Sequence, residues 1–170
     1  MPPHTNRYVI GLGASNDPKR LELETRKRWP IPNAPTLQRS PIEMKEAHRI
    51  HQQTHFSLKL RSMRSDYNCI GLVFGSRRTA LSIDDALQIL DDDGYRPISR
   101  EDSERGDLVL YEDAKGPVHI GIIWDSDPIR KTLTVLSAWG SDGEYFHSLE
   151  DVRDDWKHEV SIWTERLIYK

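Results

Sequence analysis

Proline placement constrains this 170-residue chain more than any other single feature. Seven of its ten prolines lie at or before position 41: Pro2, Pro3, Pro18, Pro30, Pro32, Pro35 and Pro41. Each fixes φ and removes a backbone donor, so residues 28–41 are poorly suited to a long helix or an inner strand. That stretch reads as an extended wrap. Ahead of it, Arg7–Ile10 reads as a short strand and Pro18–Arg28 as a short basic helix. At Ser40-Pro41 the pattern changes. A capping serine, a proline at the first helical position, and then Glu43 and Glu46 mark a helix start. That helix is expected to run from Pro41 to His55.

From Tyr67 onward the apolar spacing takes over. Cys69, Leu72 and Val73 have helical spacing and are bounded by Gly75-Ser76. Ser82 with Asp84 and Asp85 opens another helix, whose buried face is Ala86, Leu87, Ile89 and Leu90 and which Gly94 ends. Strand-like runs follow at Asp107–Tyr111, Val118–Trp124 and Thr132–Trp139, with weaker ones at Glu144–His147 and Val160–Leu167. Helices followed by an antiparallel meander place the chain in the α+β class. The organisation expected is one globular unit: residues 1–60 as a basic arm and helix packed on a body formed by residues 61–170.

Charge divides at the same region. Residues 1–68 carry a net +6 and residues 69–170 a net −9. The basic part is expected to pack on the acidic part, with a protein partner at the basic N-terminal region as the alternative. Arg26-Lys27-Arg28-Trp29 and Arg61, Arg64, Arg77 and Arg78 form basic groups. The sequence pI of about 6.2 nevertheless argues against a nucleic-acid partner. No stretch approaches the ~18 apolar residues of a membrane span, and no apolar segment follows Met1–Arg7, so a cytoplasmic chain without membrane contact is expected. The single cysteine, Cys69, excludes an intrachain disulfide and a multi-cysteine zinc site. His48, His51 and His55 share one helical stripe, but no further ligand completes a metal set, and the stripe reads as a packing or solvated face. No metal and no cofactor are expected. Gly11–Asn16 reads as a turn, since it lacks the lysine of a phosphate loop.

A lone cysteine in an apolar helix, such as Cys69, is usually a small buried hydrophobe, and its position makes it a candidate nucleophile as well. Asp66-Tyr67-Asn68 is a capping segment, so Cys69 falls in the first helical turn, where unpaired N–H groups and the macrodipole favour thiolate. A thiolate needs an imidazole beside it and a third group to orient that imidazole. His119 is the only histidine inside a strongly apolar strand pattern, where a satisfied core histidine is the ordinary reading and the partner of Cys69 the other. If Val118–Trp124 and Thr132–Trp139 pair about a turn near Pro128, residue 119 faces Ser137 on one sheet face. A slip of two residues substitutes Trp139 or Val135. A slip of one turns the whole strand over.

These residues also carry a resemblance. Asn68-Cys69-Ile70-Gly71-Leu72-Val73 resembles the D-C-S-G-L-V nucleophile motif of the NlpC/P60 cysteine peptidases. Gly106-Asp107-Leu108-Val109 and His119-Ile120-Gly121-Ile122 are similar to that family's G-D-L-V and H-V-G-I, in the same order. Leu136-Ser137-Ala138 falls where the family carries its third polar residue. The resemblance spans residues 66–140. Asn68 and Ile70 stand where the family has an acid and a serine. It implies a papain-like α+β fold with a nucleophile helix packed on a small antiparallel sheet. Cys69 is then nucleophile, His119 general base and Ser137 third member, with His147 as the alternative orienting residue. Tyr67, Asn68 and Trp139 are the expected substrate contacts. The implied reaction is hydrolysis of a peptide or peptidoglycan-type amide through a thioester, in an intracellular hydrolase or a toxin exported by a dedicated secretion machine. An acyl or amide transferase using the same pair and a non-catalytic papain-like interaction module are the alternatives.

Overall fold

A computed structural model describes residues 20–127, 129–151 and 159–167. Three helices are present there: α1 (Pro41–Thr54), α2 (Cys69–Phe74) and α3 (Ile83–Asp92). Seven strands form one sheet: β1 (Lys59–Ser62), β2 (Arg96–Ile98), β3 (Leu108–Asp113), β4 (Gly116–Asp127), β5 (Thr132–Ala138), β6 (Glu144–Ser148) and β7 (Glu159–Thr164). Their spatial order is β1-β6-β5-β4-β3-β7-β2, antiparallel at every pairing. The class is α+β, as the sequence pattern implies.

Both sheet faces are covered, which is why β3 and β5 read as nearly unbroken buried runs. On one face lie Val109, Tyr111, Ile123, Val135, Tyr145 and Ile162. Helix α1 covers part of this face with its histidine stripe. His48 stacks on Tyr145 at 5.7 Å, while His51 and His55 meet the Trp139 ring edge-on at 4.9 and 5.0 Å. The stripe is therefore a packing face, and among the described residues no group of three or more ligating side chains stands ready for a metal. The opposite face carries Leu108, Leu110 and Ile120 against Ile70 of α2 and Ala86, Ile89 and Leu90 of α3. Beside them, Tyr67 and Leu72 pack on Leu136 and Ala138.

The helix starts follow local chemistry. Ser40 with Glu43, and Ser82 with Asp85, form reciprocal capping boxes, and the Asn68 side chain caps α2. The proline-rich stretch is extended as expected, and bridges Ala34 to Ala80. Two short strands, β1 and β2, lie outside the sequence expectation. Arg7–Ile10 and Gly11–Asn16 fall outside the described residues.

The basic helix expected over Pro18–Arg28 is not formed where the structure describes it. Residues 20–25 are non-helical and a tight turn follows at Arg26-Lys27, with an isolated bridge from Glu24 to Pro30 and Arg28 at φ 69°. The cause lies in the partner surface. Thr25 Oγ1 donates to Asp92 at 2.7 Å, the Arg26 N–H to Asp93 at 2.7 Å, and Lys27 Nζ to Asp91 and Asp92 at 3.2 and 3.0 Å. The Arg26 guanidinium also pairs with Glu165. A helix would spread these consecutive groups around a cylinder, whereas a tight turn delivers them together. Helix α3 ends in Asp91, Asp92 and Asp93, the wrong sign for its macrodipole, and the cations offset that. The basic segment does pack on the acidic body.

Asn33 fastens the wrap. Its side-chain oxygen accepts from the Leu21 N–H at 3.0 Å and from Thr79 Oγ1 at 2.9 Å, and its nitrogen donates to Leu21 O at 2.8 Å and Ile31 O at 3.1 Å. The amide is buried with its donors and acceptors used. Asn33→Ala is expected to cost about 2–3 kcal/mol, because it strands several polar groups at once. Urea unfolding measures the loss, and limited proteolysis should locate new cleavage within residues 20–34.

Candidate functional site

Asn68 has extended backbone, φ −107°, and its side chain is committed locally. Oδ1 accepts from the Gly71 N–H at 2.9 Å and the Leu81 N–H at 3.3 Å, while Nδ2 donates to Leu81 O at 2.7 Å. It caps α2 and clamps the return segment, rather than presenting a free amide to a substrate. Cys69 follows as the first helical residue, half-buried, and it packs against the apolar cluster of Ile31, Ile70, Leu110 and Ile120. Burial pushes its thiol up from the ordinary cysteine range. Hydrogen bonding to the backbone at Ile120, Ile70 and Cys69 itself offsets only part of that. The expected thiolate is thus a thiol near neutral pH.

His119 precedes Ile120 in β4, and its side chain is turned the other way. It is the direct partner of Tyr111 across β3 and β4, with ring centroids 5.7 Å apart. Tyr111 belongs to the α1 face. Side chains alternate along a strand, so His119, Gly121 and Ile123 look toward α1 while Ile120 and Ile122 look toward α2 and α3. Cys69 packs with Ile120, hence beneath the opposite face from His119. The Cys69 thiol meets β4 at the Ile120 backbone, next to His119, but the two side chains point to opposite faces and share no hydrogen bond, and the reason is strand parity.

Ser137 shares the His119 face, as the hairpin argument requires, but in a shifted register. Ile122 pairs with Leu136 and Ile123 with Val135, a slip of two residues from the expected pairing. Ser137 therefore falls beside Gly121, where an added Cβ would lie 3.2 Å from Ser137 Cβ. Its Oγ pairs with His147 Nε2 at 2.8 Å and accepts from Trp139 Nε1 at 3.1 Å. His147, the alternative orienting residue, is the histidine that Ser137 contacts. Its Nδ1 lies 3.1 Å from Ser148 O, which favours a proton on Nδ1 and leaves Nε2 to accept from Ser137. Trp139 sits among His51, His55, Tyr145 and His147 in the α1-side core. It does not line a cleft with Cys69.

Burial holds both inner histidines neutral. His119 is depressed to about 3 by burial and by His147, and His147 to about 4, chiefly by burial. A general base works best with a pKa near the operating pH, and these imidazoles are far below it. The group is a buried polar core, with Ser137 and His147 closed to solvent.

The sequence reading missed a second charged cluster, built around Glu144. This residue is 0 % exposed, on β6. Its carboxylate accepts from Tyr67 Oη at 2.5 Å, Arg61 Nη1 at 2.5 Å and Arg77 Nε at 2.6 Å. Tyr67 is thereby a buried partner of Glu144, and burial first, then the carboxylate, pushes its hydroxyl far up. Arg61 and Arg77 stand out in the sequence only as members of a basic group. An acid inside a strand-like run, Glu144-Tyr-Phe-His147, was the available signal.

No family model matches the chain, and neither does a curated protein or a solved structure. Among the described residues, no helix is long and apolar enough to cross a membrane.

Proposed function

We propose that the chain is a non-catalytic binding module on a papain-like plan, engaging a protein or peptide partner, and not a Cys69–His119 hydrolase. One observation carries this reading: Cys69 and His119 lie beneath opposite faces of the same sheet. The NlpC/P60-like motifs support the fold plan. A short capped helix on an antiparallel sheet suits that plan without supplying its chemistry. The fixed register of β3 and β4 opposes any rotation that would join the two groups, because turning His119 over would carry Ile120 and Ile122 out of their core.

The test is thiol labelling. Iodoacetamide is expected to alkylate Cys69 slowly at mildly acidic pH, with a rate that rises only above the ordinary thiol range and is unchanged in His119→Asn. Rapid labelling at mildly acidic pH, lost in that variant, would restore the hydrolase. Should His119→Asn fail to fold, the pH profile of the unaltered chain decides alone.

A second reading keeps Cys69 as the nucleophile of an amidase or acyl transferase acting on peptide or peptidoglycan-type amides. It is favoured by the half-buried thiol at the first turn of a capped helix. It requires a base other than His119 in this arrangement, and release of fragments from peptidoglycan or peptides by the intact chain would establish it.

A further inference from the structure

Three separate elements converge on Glu144. Arg61 comes from β1, Arg77 from the turn after α2, and Tyr67 from the segment that enters α2. The cluster holds one buried negative charge and two positive ones. Arg61 gives a single Nη1–H to the carboxylate and Arg77 gives its Nε–H. Neither guanidinium has another hydrogen bond or ion pair among the described residues. Their side chains are 35 % and 37 % exposed, so each offers its remaining donors at the surface. A carboxylate that already accepts from a tyrosine and one arginine does not need a second arginine for neutrality. The surplus positive charge calls for a second anion.

The backbone is strained where it delivers Arg77. Ser76 and Arg77 both have left-handed φ, 52° and 62°, although neither is glycine. Such residues cost about 1 kcal/mol or more each and concentrate at ligand clamps. The turn is closed by the Arg77 N–H on Gly71 O at 3.1 Å, and Arg78 follows, exposed. Among the described residues Arg61 lies on the terminal strand of the sheet, since β1 pairs there with β6 alone. An edge strand is where an extended peptide can be received.

We propose that Arg61 and Arg77 form a subsite for a peptide carboxylate, either a chain terminus or an acidic side chain, with Glu144 and Tyr67 holding the two guanidiniums in place. A bound carboxylate balances the cluster at two charges of each sign. The proposal gives the binding-module reading a ligand chemistry and rests on that reading for its use. Its test is separate from thiol labelling, so that either can fail alone.

The experiment is an NMR titration of the full chain, following arginine Nε–H signals, with N-acetylglycine as a chain terminus, N-acetylglutamate α-amide as an acidic side chain, N-acetylglutamine amide as the uncharged control, and inorganic phosphate as probes. A saturable shift at Arg61 and Arg77 is expected with N-acetylglycine or N-acetylglutamate α-amide, whichever source the subsite takes, and not with N-acetylglutamine amide. Arg61→Gln and Arg77→Gln should each weaken it about tenfold, as loss of a charge-assisted contact does. Glu144→Gln removes the internal competitor, so binding should tighten about tenfold, which a merely structural cluster would not do. No saturable shift with either carboxylate probe, an equal response to N-acetylglutamine amide, or a response to phosphate alone would overturn the proposal. So would a folded Glu144→Gln chain with unchanged affinity. If that chain does not fold, Arg61→Gln, altered at a part-exposed edge position, decides.

Discussion

Alanine at position 71 is expected to prevent this chain from folding. A Cβ there would lie 1.7 Å from the Thr79 carbonyl oxygen and 2.9 Å from its carbon. The obstacle is backbone, which cannot swing aside as the end of a flexible side chain can. Thr79 itself is fixed, because its hydroxyl donates to Asn33 at 2.9 Å and the next residue, Ala80, is bridged to Ala34. Relief would require lifting the return segment off α2 together with the proline-rich wrap. The cost should exceed about 4 kcal/mol, a large part of the stability of an ordinary domain. Soluble yield and thermal melting provide the measurement. Gly94→Ala is the control: its φ of +78° is strained for alanine, yet nothing lies within 4 Å, so a loss of only ~1 kcal/mol is expected. A Gly71→Ala chain that melts like the control would contradict the close approach of α2 and Thr79.

Acid should destabilise the chain well above the pH at which carboxylates titrate. His119 and His147 are held to about 3 and about 4 in the folded state. The unfolded values are near 6.5. Below pH ~6.5 the unfolded chain therefore binds more protons than the native one, and stability falls as pH falls. Their contribution is complete above the unfolded value, declines by up to ~1.4 kcal/mol per pH unit for each histidine, and levels off below the folded values. The groups facing them include His55 and Asp151, which act on His147 in opposite directions. For Asp151 and Asp107, burial would raise the carboxyl. Hydrogen bonds to Ser57 and to Arg166 respectively outweigh it, and both are lowered. These acids add the same sign of effect only below about pH 4. The window from 6.5 to 4.5 thus belongs to the histidines. Urea midpoints across it should drop steadily, and His119→Asn or His147→Gln should make the drop shallower. Midpoints flat from pH 7 to 5 would refute the buried neutral pair.

Local chemistry made much of the fold legible. Ser40, Asn68 and Ser82 announce their helices because a cap is a short-range interaction, complete within four residues. The β3, β4 and β5 runs are apolar enough to stand out, and alternation correctly puts His119 and Ser137 on one face. Their register shifts by two, and the hairpin carries an irregularity between Ile123 and Asp125. What alternation cannot supply is which face receives α2. Strand β4 is apolar on both sides, with Ile120 and Ile122 one way and Ile123 the other, so either assignment suits the pattern equally. Helix α2 took the isoleucine side, and the side chains of Cys69 and His119 came to lie on different faces. β1 and β2 escaped notice because Lys59–Ser62 and Arg96–Ile98 are short and charge-bearing, and one contains Pro97. The Glu144 cluster escaped because its members are far apart in sequence and individually resemble surface charge.

The position of β7 in the sheet has a kinetic consequence. It lies between β3 and β2, and among the described residues β2 pairs with nothing else. Until Glu159–Thr164 has been synthesised, β3 is an open margin and Arg96–Ile98 lacks the strand it pairs with. The ribosome thus delivers six strands before the one that joins β2 to β3, and the nascent chain must hold Val109 and Tyr111 out of aggregates meanwhile. Closure over so long a loop is slow compared with hairpin formation. A chain stopped before residue 159 would lack an inner strand, losing both neighbours' pairing at a stroke.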